Sequence, residues 1–189
     1  MLVQNDPEQI VATAADALSS GAGDRSVFDE IPVPLYMTDA EGSVTYWNRA
    51  CVEFAGREPC LGSDRWCVTW KIYTTTGEFL PHDQCPMATA IREKRTIRDA
   101  VAIAERPDGS RVAFRPYPTP VFSADGSLSG AVNLLIDVTE EQSDALSEQA
   151  ARCRRLAGAL STRESNIVLK QMADGFEQAA ATLRADNDR

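Results

Sequence analysis

The chain has 189 residues, with 28 acidic and 19 basic side chains and a net charge of −9 at neutral pH. That length suits one domain plus flanking elements, and an ordinary 43% hydrophobic and 25% charged content excludes a collagenous, coiled-coil-only or wholly disordered chain. The acidic surplus repels phosphate backbones and argues against direct nucleic-acid binding. No apolar run approaches the ~18–20 residues of a membrane span. The opening residues Met1 to Ile10 lack the basic start and apolar stretch of a secretory signal, so the expectation is a cytoplasmic chain with no membrane partner. Five cysteines, an odd number at irregular spacing, read as reduced thiols rather than a disulfide framework.

Residues 1–25 read as a helix and linker. Asp6 can N-cap, Pro7 fits the first helical position, Gln9 completes a capping-box pattern, and Ile10, Val11, Ala14, Ala17 and Leu18 form an apolar stripe. Two β runs, Val33–Thr38 and Ser43–Trp47, flank the turn Asp39-Ala-Glu-Gly42. Asn48 then opens a short helix, Arg49 to Ala55, which Gly56 closes. Residues 57–82 show no clear periodicity, and Asp83 or Cys85 can cap a helix running to about Lys94. Three strands follow, Ile97–Glu105, Arg111–Phe122 and Leu128–Val138, joined by Pro107-Asp-Gly109 and Ala124-Asp-Gly126. Both turns are short enough to make their neighbours antiparallel. Within the second of these strands Pro116, Pro118 and Pro120 share one parity and donate nothing to one neighbour, which predicts a local break in pairing over 116–120.

Residues 140–189 read as two helices, each opened by a capping box, Thr139-Glu-Glu-Gln142 and Ser161-Thr-Arg-Glu164. Leu146, Ala150, Cys153, Ala157 and Leu160 form a near-heptad seam on the first; Val168, Met172, Phe176, Ala179 and Leu183 form the stripe of the second. Neither helix buries its stripe alone, so each is expected against the other, the domain or a second copy.

Four segments in this order resemble a PAS domain: Phe28 to Asp39 its entry strand, Gly42 to Ala50 its second strand with the helix-opening Asn, Pro107-Asp-Gly109 a late turn, and Gly130 to Thr139 its last strand with a closing Asp-Val-Thr. Leu80 to Ala88, together with Tyr117-Pro-Thr-Pro120, resembles a subgroup of PAS proteins in bacterial signalling. The resemblance covers residues 26–139 and implies an α+β fold, a five-stranded antiparallel sheet with helices on one face, here flanked by the N-terminal helix and a C-terminal helical hairpin. It further implies a small molecule or cofactor held between sheet and helices, and dimerisation.

Candidate pocket residues are Trp66, Trp70, Tyr73, His82, Cys85, Met87, Tyr117 and Asn133. The first three lie at helical spacing and carry area and polar handles suited to a core or pocket wall. Asn133 is polar inside an apolar strand, on the face of Leu135 and opposite that of Val132, Leu134 and Ile136; buried, it needs partners and suits a ligand contact, and an exposed or interface position fits it equally. Asn48 can cap its helix or reach toward the pocket, with capping the expected role. Asp137 and Thr139 stand where a strand ends and a capped helix begins, the junction that in PAS proteins couples sheet to output helix. Leu18, Leu146, Cys153 and Leu160 are the expected interface of a homodimer or of a signalling partner.

Catalysis has no motif here. The sole histidine, His82, has no nucleophile at motif spacing, and there is no phosphate loop, dinucleotide fingerprint or paired metal carboxylate. The C-terminal helices lack the histidine a kinase phosphoacceptor needs. His82 and Cys85, the latter in a Cys-Pro pair, leave haem ligation as an alternative, and Cys60, Cys67, Cys85 and His82 match no zinc spacing. The Asn-Cys-Arg-Phe-type segment of light-oxygen-voltage photochemistry is absent. No cofactor is therefore specified and no metal is expected. The reading is a non-catalytic sensory or regulatory protein of bacterial signalling that relays small-molecule binding through Asp137-Val138-Thr139 to the C-terminal helices. The alternatives are an interaction adaptor whose pocket is filled by its own side chains, or a haem-based redox or gas sensor.

Overall fold

A computed structural model describes residues 6–19, 25–159 and 163–187. By contacts the chain divides into two units, Met1–Ser110 with Phe114–Asp137, and Arg111–Ala113 with Val138–Arg189. No helix among the described residues is long and apolar enough to cross a membrane.

The first unit opens with α1 (Pro7–Ser19), started by Asp6, whose carboxylate accepts the Glu8 N–H at 3.1 Å. Strands β1 (Leu35–Asp39) and β2 (Val44–Trp47) form a hairpin closed by Asp39, whose Oδ1 accepts the N–H groups of Glu41 at 3.1 Å and Ser43 at 2.7 Å, with Gly42 at φ +87°. Helix α2 (Arg49–Ala55) follows, and Gly56 ends it in the left-handed region. Two short strands, β3 (Lys71–Tyr73) and β4 (Phe79–Leu80), precede α3 (Pro86–Glu93). Then come β5 (Ala102–Glu105), β6 (Arg111–Pro116), β7 (Thr119–Phe122) and β8 (Leu128–Asp137).

The sheet runs β2-β1-β8-β6-β5-β3-β4, with β7 also on β8. The expected five strands are eight for two reasons. The proline-rich strand is split: β6 pairs residues 135–137 of β8 and β7 pairs residues 128–132, so the two halves share one edge with a break between them, as the proline parity predicts. The β3–β4 hairpin, which sequence periodicity does not mark, adds to the free edge of β5.

The register sets the two faces. Tyr36 pairs with Asn133, Thr38 with Ala131, and Pro116 with Leu135, so these side chains share one face; Phe114 lies there too, its ring edge-on to Phe54 of α2 with centroids 5.5 Å apart. Leu35, Met37, Val132 and Leu134 occupy the other face. They cluster with Val121, Phe28 and the Val11 and Ala14 of α1, while Ile10, Ala15, Ala17 and Leu18 pack around them. The α1 stripe is therefore covered within the chain, and helices lie on both faces of the sheet.

The second unit is built on α4 (Thr139–Ala159) and α5 (Arg163–Asn187). They are antiparallel: Arg154 meets Glu177 at 3.0 Å near one end and Arg184 meets Asp144 at 3.0 Å near the other. Ala150, Cys153 and Ala173 form the seam, flanked by Leu169 and Phe176.

Candidate functional site

The sheet face toward α2 and α3 carries a chain of polar groups inside an apolar interior. Tyr36, fully buried, donates its hydroxyl hydrogen to the Trp66 carbonyl at 2.9 Å. Asn133 donates its amide to that same hydroxyl at 2.9 Å and, through Oδ1, accepts the Tyr117 N–H at 2.9 Å. Tyr117 stands at the break between β6 and β7, where its N–H also reaches the Leu134 carbonyl at 2.9 Å. The partners that a buried Asn133 requires thus come from the protein itself. The hydroxyl of Thr38, buried on the same face, has no hydrogen-bond partner.

Three buried thiols surround this chain. Cys85 caps α3, its sulfur accepting the Ala88 N–H at 3.5 Å and donating to the Trp66 carbonyl at 3.8 Å. Cys67 contacts the Thr69 hydroxyl at 3.2 Å, and Cys51 donates to the Leu35 carbonyl at 3.3 Å. Burial pushes the Cys51 and Cys85 thiols up to about 12 and raises Cys67 and the Tyr36 hydroxyl as well, so all four groups are neutral at physiological pH. Buried thiols held protonated are poor nucleophiles and poor metal ligands.

Trp66 bears no helix around it. It sits in a loop at φ +67°, its N–H donating to the Gly42 carbonyl at 2.7 Å, its ring so close over Gly42 that a Cβ there would lie 2.1 Å from ring carbons. The helical spacing of Trp66, Trp70 and Tyr73 is thus overridden by strand β3. Trp70 is 44% exposed, with Lys71 Nζ 4.1 Å from its ring centroid, and Tyr73 stacks edge-on to Phe79 at 5.8 Å. Of the candidate pocket set, Met87, Cys85 and Asn133 are buried, whereas Trp70 is a surface residue. His82 is half-buried, its Nε2 without a partner. Burial chiefly, and then the Arg57 charge, lower its pKa, against the pull of Asp64 and Asp83. Among the described residues no three His, Cys, Asp or Glu side chains are grouped to hold a metal.

Asn48 does more than cap. Its Oδ1 accepts the N–H groups of Cys51 at 3.3 Å and Leu35 at 3.0 Å, while its amide reaches the carbonyls of Phe28, Ile31 and Val33 at 2.9–3.2 Å. Fully buried, it ties the entry loop to α2, and its side chain is taken up by these backbone groups.

At the junction after β8, Thr139 is buried, its hydroxyl accepting the Ala113 N–H at 3.0 Å and lying 3.4 Å from the Ala113 carbonyl. The Val138 N–H donates to that carbonyl at 2.9 Å. Asp137 is exposed. In the last turn of α5, Asp186 accepts the Arg111 N–H at 3.0 Å. The expected interface residues lie elsewhere than at an open surface: Leu146 and Cys153 are buried and Leu18 is half-buried, because the stripes of α1 and α4 find cover within the chain, whereas Val168 and Met172 of the α5 stripe stay exposed. Leu160 lies outside the described residues.

A family model described as PAS fold matches residues 28–143. The chain belongs to the PAS family. Among solved structures, this PAS chain is similar to the light-oxygen-voltage protein of Rhodobacter sphaeroides, at 16% identity and a TM-score of 0.46, over 94% of this chain and 98% of that one. It is similar to the light-oxygen-voltage domain of a blue-light activated histidine kinase from Erythrobacter litoralis, at 18% identity and a TM-score of 0.42, over 58% of this chain and 98% of that one. A PAS domain from Colwellia psychrerythraea gives 15% identity and a TM-score of 0.41, over 69% of this chain and 98% of that one. No curated protein matches the chain.

Sequence reasoning passed over Tyr36. It stands within the apolar run Leu35-Tyr36-Met37, and the one signal it offered was a phenol on the parity opposite to its aliphatic neighbours.

Proposed function

We propose that this PAS chain is a non-catalytic sensory module of cytoplasmic bacterial signalling. A small molecule held between the sheet and α2–α3 shifts the strands, and the Asp137-Val138-Thr139 junction passes the shift to α4 and α5, which act on a second copy of the chain or on a signalling protein. The observation that carries this reading is the double attachment of β6. Its Arg111–Ala113 end is bonded to the start of α4 through Thr139 and Val138 and to the end of α5 through Asp186. Its Phe114–Pro116 end pairs with β8, which also holds Asn133. A change in strand position therefore acts on both helices of the hairpin.

A second reading, an interaction adaptor, draws on the mutual satisfaction of Tyr36, Asn133, Tyr117 and the Trp66 carbonyl, which leaves that polar chain complete without a ligand. Haem ligation by Cys85 would cost its place as the α3 cap, where its sulfur accepts the Ala88 N–H. Native mass spectrometry of freshly purified protein, followed by hydrogen exchange before and after denaturation and refolding, separates the first two. A retained small molecule whose loss speeds exchange at the Arg111 and Ala113 amides and in the first turn of α4 is the expected result. No retained molecule and unchanged exchange would overturn it in favour of the adaptor.

A further inference from the structure

The N-terminal helix is fixed by one arginine whose N–H groups all have acceptors. Arg98 grips the Glu8 carboxylate of α1 through Nε at 2.5 Å and Nη2 at 2.9 Å. Nη2 also donates to the Thr119 hydroxyl at 3.0 Å, and Nη1 donates to the carbonyls of Ile97 at 3.0 Å and Pro118 at 3.2 Å. The guanidinium lies 5.4 Å from the centroid of the Tyr117 ring. Tyr117 and Pro118 separate β6 from β7, whose first residue is Thr119, and Pro118 there cannot donate to the ladder. Arg98 supplies there the polar ties that the ladder does not, and the same guanidinium holds α1.

The helix itself is a thin cover. It buries only Val11 and Ala14 fully and leaves on one flank a groove of about 280 Å³ lined by Gln9, Ile10, Thr13, Val27, Phe28 and Ile31. Beneath it Leu35, Met37, Val132 and Leu134 are wholly buried.

We propose that Arg98 couples the seating of α1 to the conformation of the 117–119 break, so that α1 is a displaceable cover over the outer sheet face, released when the break rearranges. The coupling is reciprocal: displacing α1 removes the one carboxylate that orients the guanidinium, and moving the break removes the Pro118 and Thr119 acceptors. It stands apart from the relay at Thr139.

Residue-resolved hydrogen exchange on the full chain tests it. Glu8→Gln keeps the side-chain shape and removes the charge. The expected result is about threefold faster exchange both in α1, at Val11 and Ala14, and at Tyr117 and Thr119, with the Arg106–Ser110 turn unchanged as the control for folding. Faster exchange in α1 alone would mean an ordinary surface ion pair and overturn the proposal, as would no change at either place. Ala14→Glu dislodges α1 with the latch residues intact. It should also loosen Tyr117 and Thr119, and full protection of those two amides in this variant would equally overturn the coupling.

Discussion

The side-chain amide of Asn133 and the hydroxyl of Tyr36 meet at 2.9 Å across the β8–β1 ladder, inside an otherwise apolar layer. Tyr36→Phe would remove one oxygen, strand the Asn133 amide and leave the Trp66 carbonyl only the long bond from the Cys85 thiol. Burying an unsatisfied polar group costs about 1–3 kcal/mol, so the urea midpoint should fall accordingly with an unchanged slope. Asn133→Leu in the Tyr36→Phe background should cost less than the sum of the two single changes, since the second substitution removes a group already stranded. An unaltered midpoint in Tyr36→Phe would show that this hydroxyl is not part of a stabilising chain.

At the strand–helix junction, Thr139→Val keeps the shape and removes the hydroxyl that holds the Ala113 N–H. The Ala113 carbonyl retains its bond from Val138. The expected loss is about 1–3 kcal/mol, and exchange at the Ala113 amide should quicken while the β1–β2 hairpin keeps its protection. Thr139→Ser restores the hydroxyl and should restore slow exchange. Equal exchange at Ala113 in the valine and serine variants would remove the hydroxyl from the junction's account.

Local signals were legible in the sequence and non-local pairings were not. Asn48 and Gly56 fix both ends of α2 because a cap and a left-handed stop act within one turn, and the shared parity of Pro116, Pro118 and Pro120 gives the strand break because a missing donor needs no partner to be missing. The β3–β4 hairpin was not legible. Lys71–Tyr73 owes its strand form to pairing with β5, residues 103–105, while the aromatic spacing just before it imitates a helix. The Tyr36–Asn133 bond spans 97 positions, and the seating of α1 depends on Arg98, 90 positions from Glu8. The same limit misplaced the interface: a helical stripe shows that a face needs cover, and the covers here are the sheet and the neighbouring helix.

The buried thiols make stability fall on the alkaline side. Cys51 and Cys85 ionise near 12 in the folded chain against an ordinary value of 9.0, because burial disfavours the thiolate. Below pH 9 both folded and unfolded chains keep these protons and the contribution is constant; above it the unfolded chain releases them first, so stability is lost as pH rises from about 9 toward 12. Urea midpoints at pH 8 and pH 10 should therefore converge in Cys85→Ala relative to the unaltered chain, the substitution having removed one of the titrating groups. In the same experiment at pH 8, the exposed Cys60 should react with a thiol reagent in the folded protein while Cys51, Cys67 and Cys85 react on unfolding. Rapid modification of Cys85 in the native state would contradict its burial and its role as the α3 cap.

The homodimer we propose must use side chains outside the hairpin seam. Leu146 and Cys153 are buried, so Leu146→Glu should unfold the hairpin rather than merely separate one copy from another. The large apolar side chains left open on the hairpin are Leu156 on α4 and Ile167, Val168 and Met172 on α5, at 47%, 48%, 54% and 47% exposure, with Val168 and Met172 one turn apart. Introducing a carboxylate there costs the monomer little but would place like charges against a two-fold partner. Light scattering coupled to size exclusion should give about twice the 20.6 kDa chain mass for the unaltered protein and the chain mass for the Val168→Glu, Met172→Glu double variant, with helical content equal in the two. A dimer that survives both substitutions would move the interface off this face, and an unaltered protein at the single-chain mass at micromolar concentration would remove the dimer from the proposal.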